Sequence, residues 1–166
     1  MAGFATTDLC DAHEKLLDTG ALTVLAPGFL LLGRRSSFAG PAHTLQVFED
    51  NTLVRSTLET PGGGRVLVVD GAASLRCALV GGKLALLGAS NQWAGIVING
   101  CVRDALEIEA CDIGVRALAL NPRRSAKRGG GQAGIVLHFA GARIAPGDWI
   151  YSDRDGILAA QGALPA

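Results

Sequence analysis

Two uninterrupted apolar runs constrain this chain most: "RVLVVDGA" at residues 65–72 and "GIVI" at residues 95–98. Neither alternates apolar with polar positions, so each reads as a strand buried on both faces. The segment between them carries a glycine turn at "GGKL", a helical stretch from about Lys83 and a second turn at Gly95. Strand, helix, strand in that order predicts a parallel βαβ unit. "ALEIEACDIGVRALAL" then repeats the pattern with a short helix and another strand.

The flanks fill in the fold class. "TTDLCDAHEKLLDTG" predicts one amphipathic helix, capped by Thr6 or Thr7 and ended by Gly20. "ALTVLAP" and "GPAHTLQVF" read as strands, and "EDNTLVRSTLE" as a helix capped by Asp50 or Asn51. Beyond Asn121, "NPRRSAKRGGGQ" reads as a basic, solvated loop, and the remainder as short β segments. The expectation is an α/β fold with mixed sheets, residues 1–166 forming one domain.

Composition excludes several functions. With 15 basic and 15 acidic side chains the formal net charge is zero, so no long-range field draws the chain to nucleic acid or anionic lipid. The basic loop lacks the interleaved aromatics on which single-strand binders stack bases. Leu84 to Val102 is uncharged, but Ser90, Asn91, Gln92, Asn99 and its glycines argue against a membrane span. Cys10, Cys77, Cys101 and Cys111 form no CxxC pair, as in a reducing cytoplasm, and the start of the chain has no apolar signal-peptide core. His13, His43 and His138 lack metal-ligand spacing; Trp93 and Trp149 read as core or subunit-seam residues, and Asp70 as a turn former.

The chemistry concentrates at "NGCVRDALEIEA", residues 99–110. In parallel α/β units ligands collect at the carboxyl ends of strands, and there Arg103 and Asp104 stand side by side. An Arg offers a planar fork of donors to a carboxylate, and an Asp offers hard oxygens to a divalent cation. Together they suit an enolate-forming reaction on a 2-oxo acid. The plain alternative is a surface charge followed by an N-cap, with Asp104 and Glu107 spaced as a capping box.

Taken together, "DLCDAH", "FAGPAHTLQVFEDNTLVRSTLE", "GRVLVVDGAASLRCALVGG", "WAGIVINGCVRD", "DIGVRALALNPRRSAKRGGG" and "PGDWIYSDRDGILAA" resemble the regulator of ribonuclease activity A (RraA) family over nearly the whole chain. The resemblance implies an α/β/β/α sandwich like the phosphohistidine swivelling domain, assembled as a trimeric ring that can pair into a hexamer. It implies one of two activities. One is a class II aldolase that cleaves 4-hydroxy-4-methyl-2-oxoglutarate or 4-carboxy-4-hydroxy-2-oxoadipate to pyruvate and decarboxylates oxaloacetate. The other is a protein-binding inhibitor of ribonuclease E-type endonucleases.

The aldolase pattern resembles an Asp, twenty residues, then Arg-Asp. Arg103 and Asp104 match its end, as carboxylate holder and as ligand of magnesium or manganese. Gly82 occupies the position of the first Asp, and the C-terminal extension that carries a Glu into a neighbouring subunit in those aldolases has no counterpart after "DGILAA". Gly81, Gly82, Lys83 and Leu84 are expected to cradle a substrate oxyanion through backbone N–H groups.

Overall fold

The structure, a computed structural model, describes residues 3–165. Its amino-terminal segment forms two helices, α1 (Thr6–Ala12) and α2 (Glu14–Thr19), where one was expected. The break falls at His13 (φ −125°, ψ 35°). Nor does Thr6 or Thr7 cap: Ala5 holds the N-cap position, and Thr6 donates its N–H and hydroxyl to the Asp153 carboxylate at 2.6 and 2.7 Å. A tertiary contact has replaced a local one. Gly20 ends α2 in the left-handed region (φ 77°), as its glycine signal predicts.

The chain continues through β1 (Leu22–Val24), β2 (Leu30–Leu32), β3 (Phe38–Gln46), α3 (Thr52–Leu58), β4 (Val66–Asp70), β5 (Ala78–Val80), α4 (Gly82–Ser90), β6 (Gly95–Val102), α5 (Ala105–Ala110) and β7 (Gly114–Leu120). It closes with β8 (Gln132–Ala133), β9 (Leu137–Phe139), β10 (Ala142–Ile144), β11 (Trp149–Ser152) and β12 (Ile157–Ala160), the β-rich end that the sequence implies. The main sheet runs β1-β12-β11-β3-β4-β6-β7-β2, with β3, β4, β6 and β7 parallel. The two apolar runs are neighbours: Val66 pairs with Gly95 and Asp70 with Asn99.

β6 does not stop at Asn99 and Gly100. Its register against β7 shifts between Ile98 and Cys101, and the strand runs on to Val102. Past that irregularity β4 has left, and β5 takes its place beside β6, pairing Ala78 with Cys101 and Val80 with Val102. The strand extension is what delivers Arg103, whose N–H bonds Val80 O at 2.9 Å.

Alternation along the parallel strands feeds two cores. Leu67, Val69, Ile96, Ile98 and Val115 pack against Val54 and Leu58 of α3, Leu84 and Ala85 of α4 and Ile108 of α5. Val66, Val68 and Val97 face Leu137, Phe139, Ile144, Ile150 and Ile157. A third cluster seats Leu9 on Leu22, Ala39, Tyr151 and Leu158. The clusters thus stack helices, strands, strands and helices, each buried large aliphatic contributing about 1.5–3 kcal/mol. Trp93 belongs to the first core at 1% exposure and donates its indole N–H to Thr60 O; Trp149 stacks on Tyr151 at 5.9 Å. Among the described residues no helix is long and apolar enough to cross a membrane.

Candidate functional site

β6 ends into a strained corner. Asp104 occupies the N-cap position of α5 with φ 59° and ψ 48°, a left-handed conformation that costs a non-glycine residue about 1–2 kcal/mol. Its side chain makes no capping bond, and no capping box with Glu107 forms among the described residues. Instead the carboxylate turns back across the corner, and Oδ2 accepts the Gly82 N–H at 3.2 Å. Asp104 holds the N-cap position of α5, but its side chain serves the first N–H of α4 instead of its own helix.

The paired glycines make that turn possible. A Cβ on Gly81 would lie 2.5 Å from Asp104 Oδ2 and 3.3 Å from Arg103 Cγ. A Cβ on Gly82 would overlap the Glu107 carboxylate and its Cβ. Glu107 therefore fills the space that a side chain at position 82 would enter. Sequence spacing alone had assigned Glu107 to a cap, and no linear signal shows that it lies over Gly82, across the α4–α5 contact.

Arg103 keeps its guanidinium free of hydrogen bonds among the described residues. Nε stands 3.7 Å from Asp104 Oδ2, with the two side chains 40% and 38% exposed, so the ion pair is loose and weak. Both open onto a cleft of about 240 Å³. The corner and the starts of α4 and α5 contribute Gly81, Lys83, Leu84, Arg103, Asp104 and Glu107 to its lining; the α3 region, β5 and the loop after β7 contribute Asn51, Arg55, Ala78, Arg124, Ser125 and Lys127. Gly82 does not line it. The oxyanion cradle is narrower than expected, because the Gly82 N–H is bound to Asp104 and the Leu84 N–H bonds Gly81 O at 3.1 Å.

The loop from Asn121 to Gly131 is not simply a solvated one. Ala78 N–H bonds Arg123 O at 2.8 Å, Ala126 N–H bonds Glu49 O at 2.8 Å, and Asn51 N–H bonds Ala126 O at 3.3 Å. Asp50 completes the clasp: Oδ2 accepts the N–H of Arg128 (2.6 Å) and Gly130 (3.5 Å), while Oδ1 accepts the N–H and hydroxyl of Thr52 (2.9 and 2.7 Å). Burial alone would raise the Asp50 pKa, but the bonds from Thr52, Arg128 and Gly130 outweigh it and hold the carboxyl at about 2. Gly131 returns the chain at φ 123°, where a Cβ would meet Val47 and the Gln46 carbonyl. Beyond this loop lies a second cleft of about 630 Å³, with Arg76, Arg123, Arg124 and Arg128 on its walls.

The remaining candidates stay outside the cleft. Asp70 is 7% exposed and its Oδ1 accepts the Ala72 N–H and the Asn99 amide, which makes it the turn former expected. His43 sits between Arg65 and Trp93; burial, then the Arg65 charge, lowers its pKa and favours the neutral ring. Among the described residues no group of three or more His, Cys, Asp or Glu could hold a metal. A divalent cation here would rest on Asp104 with water and substrate oxygens, a set that suits magnesium, which commonly takes one or two protein carboxylates.

A family model described as "RraA-like: Aldolase/RraA" matches residues 6–159. The chain belongs to the RraA-like family. It is 61% identical to a protein of Burkholderia multivorans over 97% of this chain and 98% of that one, and 59% identical to one of Cupriavidus taiwanensis over 96% of each. Both carry the provisional name 4-hydroxy-4-methyl-2-oxoglutarate aldolase. Among solved structures, the RNA-processing inhibitor RraA from Thermus thermophilis superposes with a TM-score of 0.92 at 41% identity, covering 99% of this chain and 96% of its own. A Geobacillus kaustophilus protein described as an S-adenosylmethionine:2-dimethylmenaquinone methyltransferase gives 0.90 at 43%, covering 97% of each. The two solved structures share this fold, and the four similar proteins carry three different descriptions.

Proposed function

We propose that this RraA-like protein is a divalent-metal-dependent lyase that cleaves 4-hydroxy-4-methyl-2-oxoglutarate, or 4-carboxy-4-hydroxy-2-oxoadipate, to pyruvate and also decarboxylates oxaloacetate. The observation that carries this reading is Arg103, unpaired by hydrogen bonds among the described residues, beside a strained Asp104 in one cleft. The strained backbone at Asp104 leaves its own helix uncapped and spends the carboxylate on the Gly82 N–H and the cleft, which supports a role there.

Arg103 takes the pyruvyl carboxylate through its guanidinium fork. Asp104 would hold magnesium or manganese with its remaining lone pairs, the metal supplying Lewis acidity at the 2-oxo group when bound. Glu107 lies where an acidic side chain at position 82 would otherwise reach, and it lines the same cleft. In the cleavage direction the C3–C4 bond breaks, the C4 hydroxyl gives up its proton and becomes a ketone, and pyruvyl C3 gains a proton. Glu107, through water, is the carboxylate available for the hydroxyl proton. Gly81, Lys83 and Leu84 shape the substrate side of the cleft, Lys83 adding positive charge at the start of α4, while Gly82 stays behind that surface and anchors Asp104 through its N–H.

A pyruvate-release assay coupled to lactate dehydrogenase, with oxaloacetate and magnesium, tests the reading. Wild type is expected to release pyruvate above the metal-only background. Arg103→Ala, Asp104→Ala and a chelated sample are expected to fall to that background, and equal signals in all four would eliminate the assignment.

The likeness to the Thermus RNA-processing inhibitor favours a second reading, a regulator that binds a ribonuclease E-type endonuclease directly. Retention of the purified endonuclease at micromolar concentration supports it, and no retention removes it. Both readings suit the cytoplasm, where free Cys77, Cys101 and Cys111 stay reduced. The layer order supports likeness to the phosphohistidine swivelling domain. The trimeric ring that the family resemblance implies is checked by sedimentation at micromolar concentration.

A further inference from the structure

One polar atom in the cleft wall has no partner. Ser125 is 7% exposed, and its Oγ is buried without a hydrogen bond; among the described residues no other buried side-chain N or O is left so. A hydroxyl buried and unbonded costs about 1–3 kcal/mol, so its position invites a partner from outside the chain. The backbone around it cannot easily relax to supply one. Arg123 O is tied to Ala78 and Ala126 to Glu49 and Asn51, so Ser125 sits between anchors on both sides.

Its surroundings define what that partner is. Ser125 lines the Arg103 cleft together with Arg124 and Lys127, and the neighbouring cleft together with Arg124, Arg123 and Arg128. No acidic side chain of the Asn121–Gly131 loop offsets these cations; Asp50 and Glu49, in the neighbouring cleft, are already bonded to Thr52, Arg128 and Gly130, and to Ser74 and Arg76, while the carboxylates sharing the Arg103 cleft, Asp104 and Glu107, are the ones proposed above for the metal and for proton transfer. A hydroxyl donor flanked by a guanidinium and an ammonium matches an oxyanion.

We infer that Ser125, with Arg124 and Lys127, forms a second carboxylate subsite that receives the distal carboxylate of a dicarboxylic 2-oxo acid whose pyruvyl end lies on Arg103. The inference rests on the lyase reading and deepens it, by assigning the residues of the same cleft that receive the second carboxylate.

Calorimetric titration of the full-length protein with magnesium, using 2-oxoglutarate and 2-oxopentanoate, tests this without turnover. The two acids have equal chain length and differ in the distal carboxylate. Wild type is expected to bind 2-oxoglutarate at least tenfold more tightly. Ser125→Ala is expected to weaken 2-oxoglutarate about fivefold to tenfold and leave 2-oxopentanoate unchanged, with Arg124→Gln acting the same way. Ser125→Ala should also leave the melting temperature of the ligand-free protein unchanged or higher, because it removes an unsatisfied group. Equal affinity of wild type for both acids, with Arg103→Ala abolishing both, overturns the subsite alone. Equal weakening of both acids by Ser125→Ala, or a lower melting temperature without a change in preference, also overturns it. Binding of neither acid to wild type overturns the pyruvyl reading and this subsite together.

Discussion

Two loops line the same cleft, and they are built by opposite means. The Arg103–Asp104 corner is two residues long, set by the strand before it and the helix after it, and strained at Asp104. The Asn121–Gly131 loop has no helix or strand of its own and is held by distant partners, chiefly Asp50, Glu49 and Ala78. The first places chemistry where chain geometry leaves no freedom. The second shapes a wall through hydrogen bonds and can be loosened without disturbing the sheet.

Arg103→Ala gives the largest contrast. It removes a side chain that holds up nothing, so kcat/KM for oxaloacetate should fall about 100-fold to 1,000-fold while urea stability changes by less than about 0.5 kcal/mol. A matching loss of stability would mean that the corner is scaffold.

Asp50→Asn acts on the other loop. Stability should drop by about 2 kcal/mol at pH 7, with faster hydrogen exchange at Arg128 and Gly130. The Asp50 pKa is depressed to about 2 from the ordinary aspartate value of 3.8, so its contribution is present above about pH 4 and is lost as pH falls through 2. Urea titrations of the wild type and variant should therefore converge toward pH 2; a constant difference would contradict the clasp.

Asp104→Gly and Asp104→Ala both delete the carboxylate, but only glycine accepts φ 59° freely. The glycine variant should be more stable by about 1 kcal/mol, both being inactive. Equal stabilities would remove the strain argument.

Gly82→Asp is the subtlest test, since Glu107 already fills the space at position 82. Alone it should not raise decarboxylation; with Glu107→Ala it should recover activity lost in the Glu107→Ala single variant. A gain from Gly82→Asp alone would deny Glu107 its place.

The sequence announces the corner but not its surroundings. Continuous apolar patterning makes β4 and β6 legible, and strand-end logic then locates Arg103 and Asp104. β5 (Ala78–Val80) is not legible in the sequence, because three residues between turns carry no period and find their place only once β4 leaves β6. The extension of β6 was hidden by Asn99 and Gly100, which resemble a strand end but lie at a register shift. Ser125 and Glu107 are invisible in one dimension: one is buried by a clasp from Asp50, the other by the absence of a side chain on Gly82.

The central claim is that Arg103 and Asp104 act on one bound acid. A crystal structure of the protein soaked with magnesium and pyruvate tests it most directly. The account predicts the pyruvate carboxylate on the Arg103 guanidinium and magnesium on Asp104 in the same cleft. Pyruvate bound elsewhere, or Arg103 turned onto a protein carboxylate with the cleft closed, would contradict it.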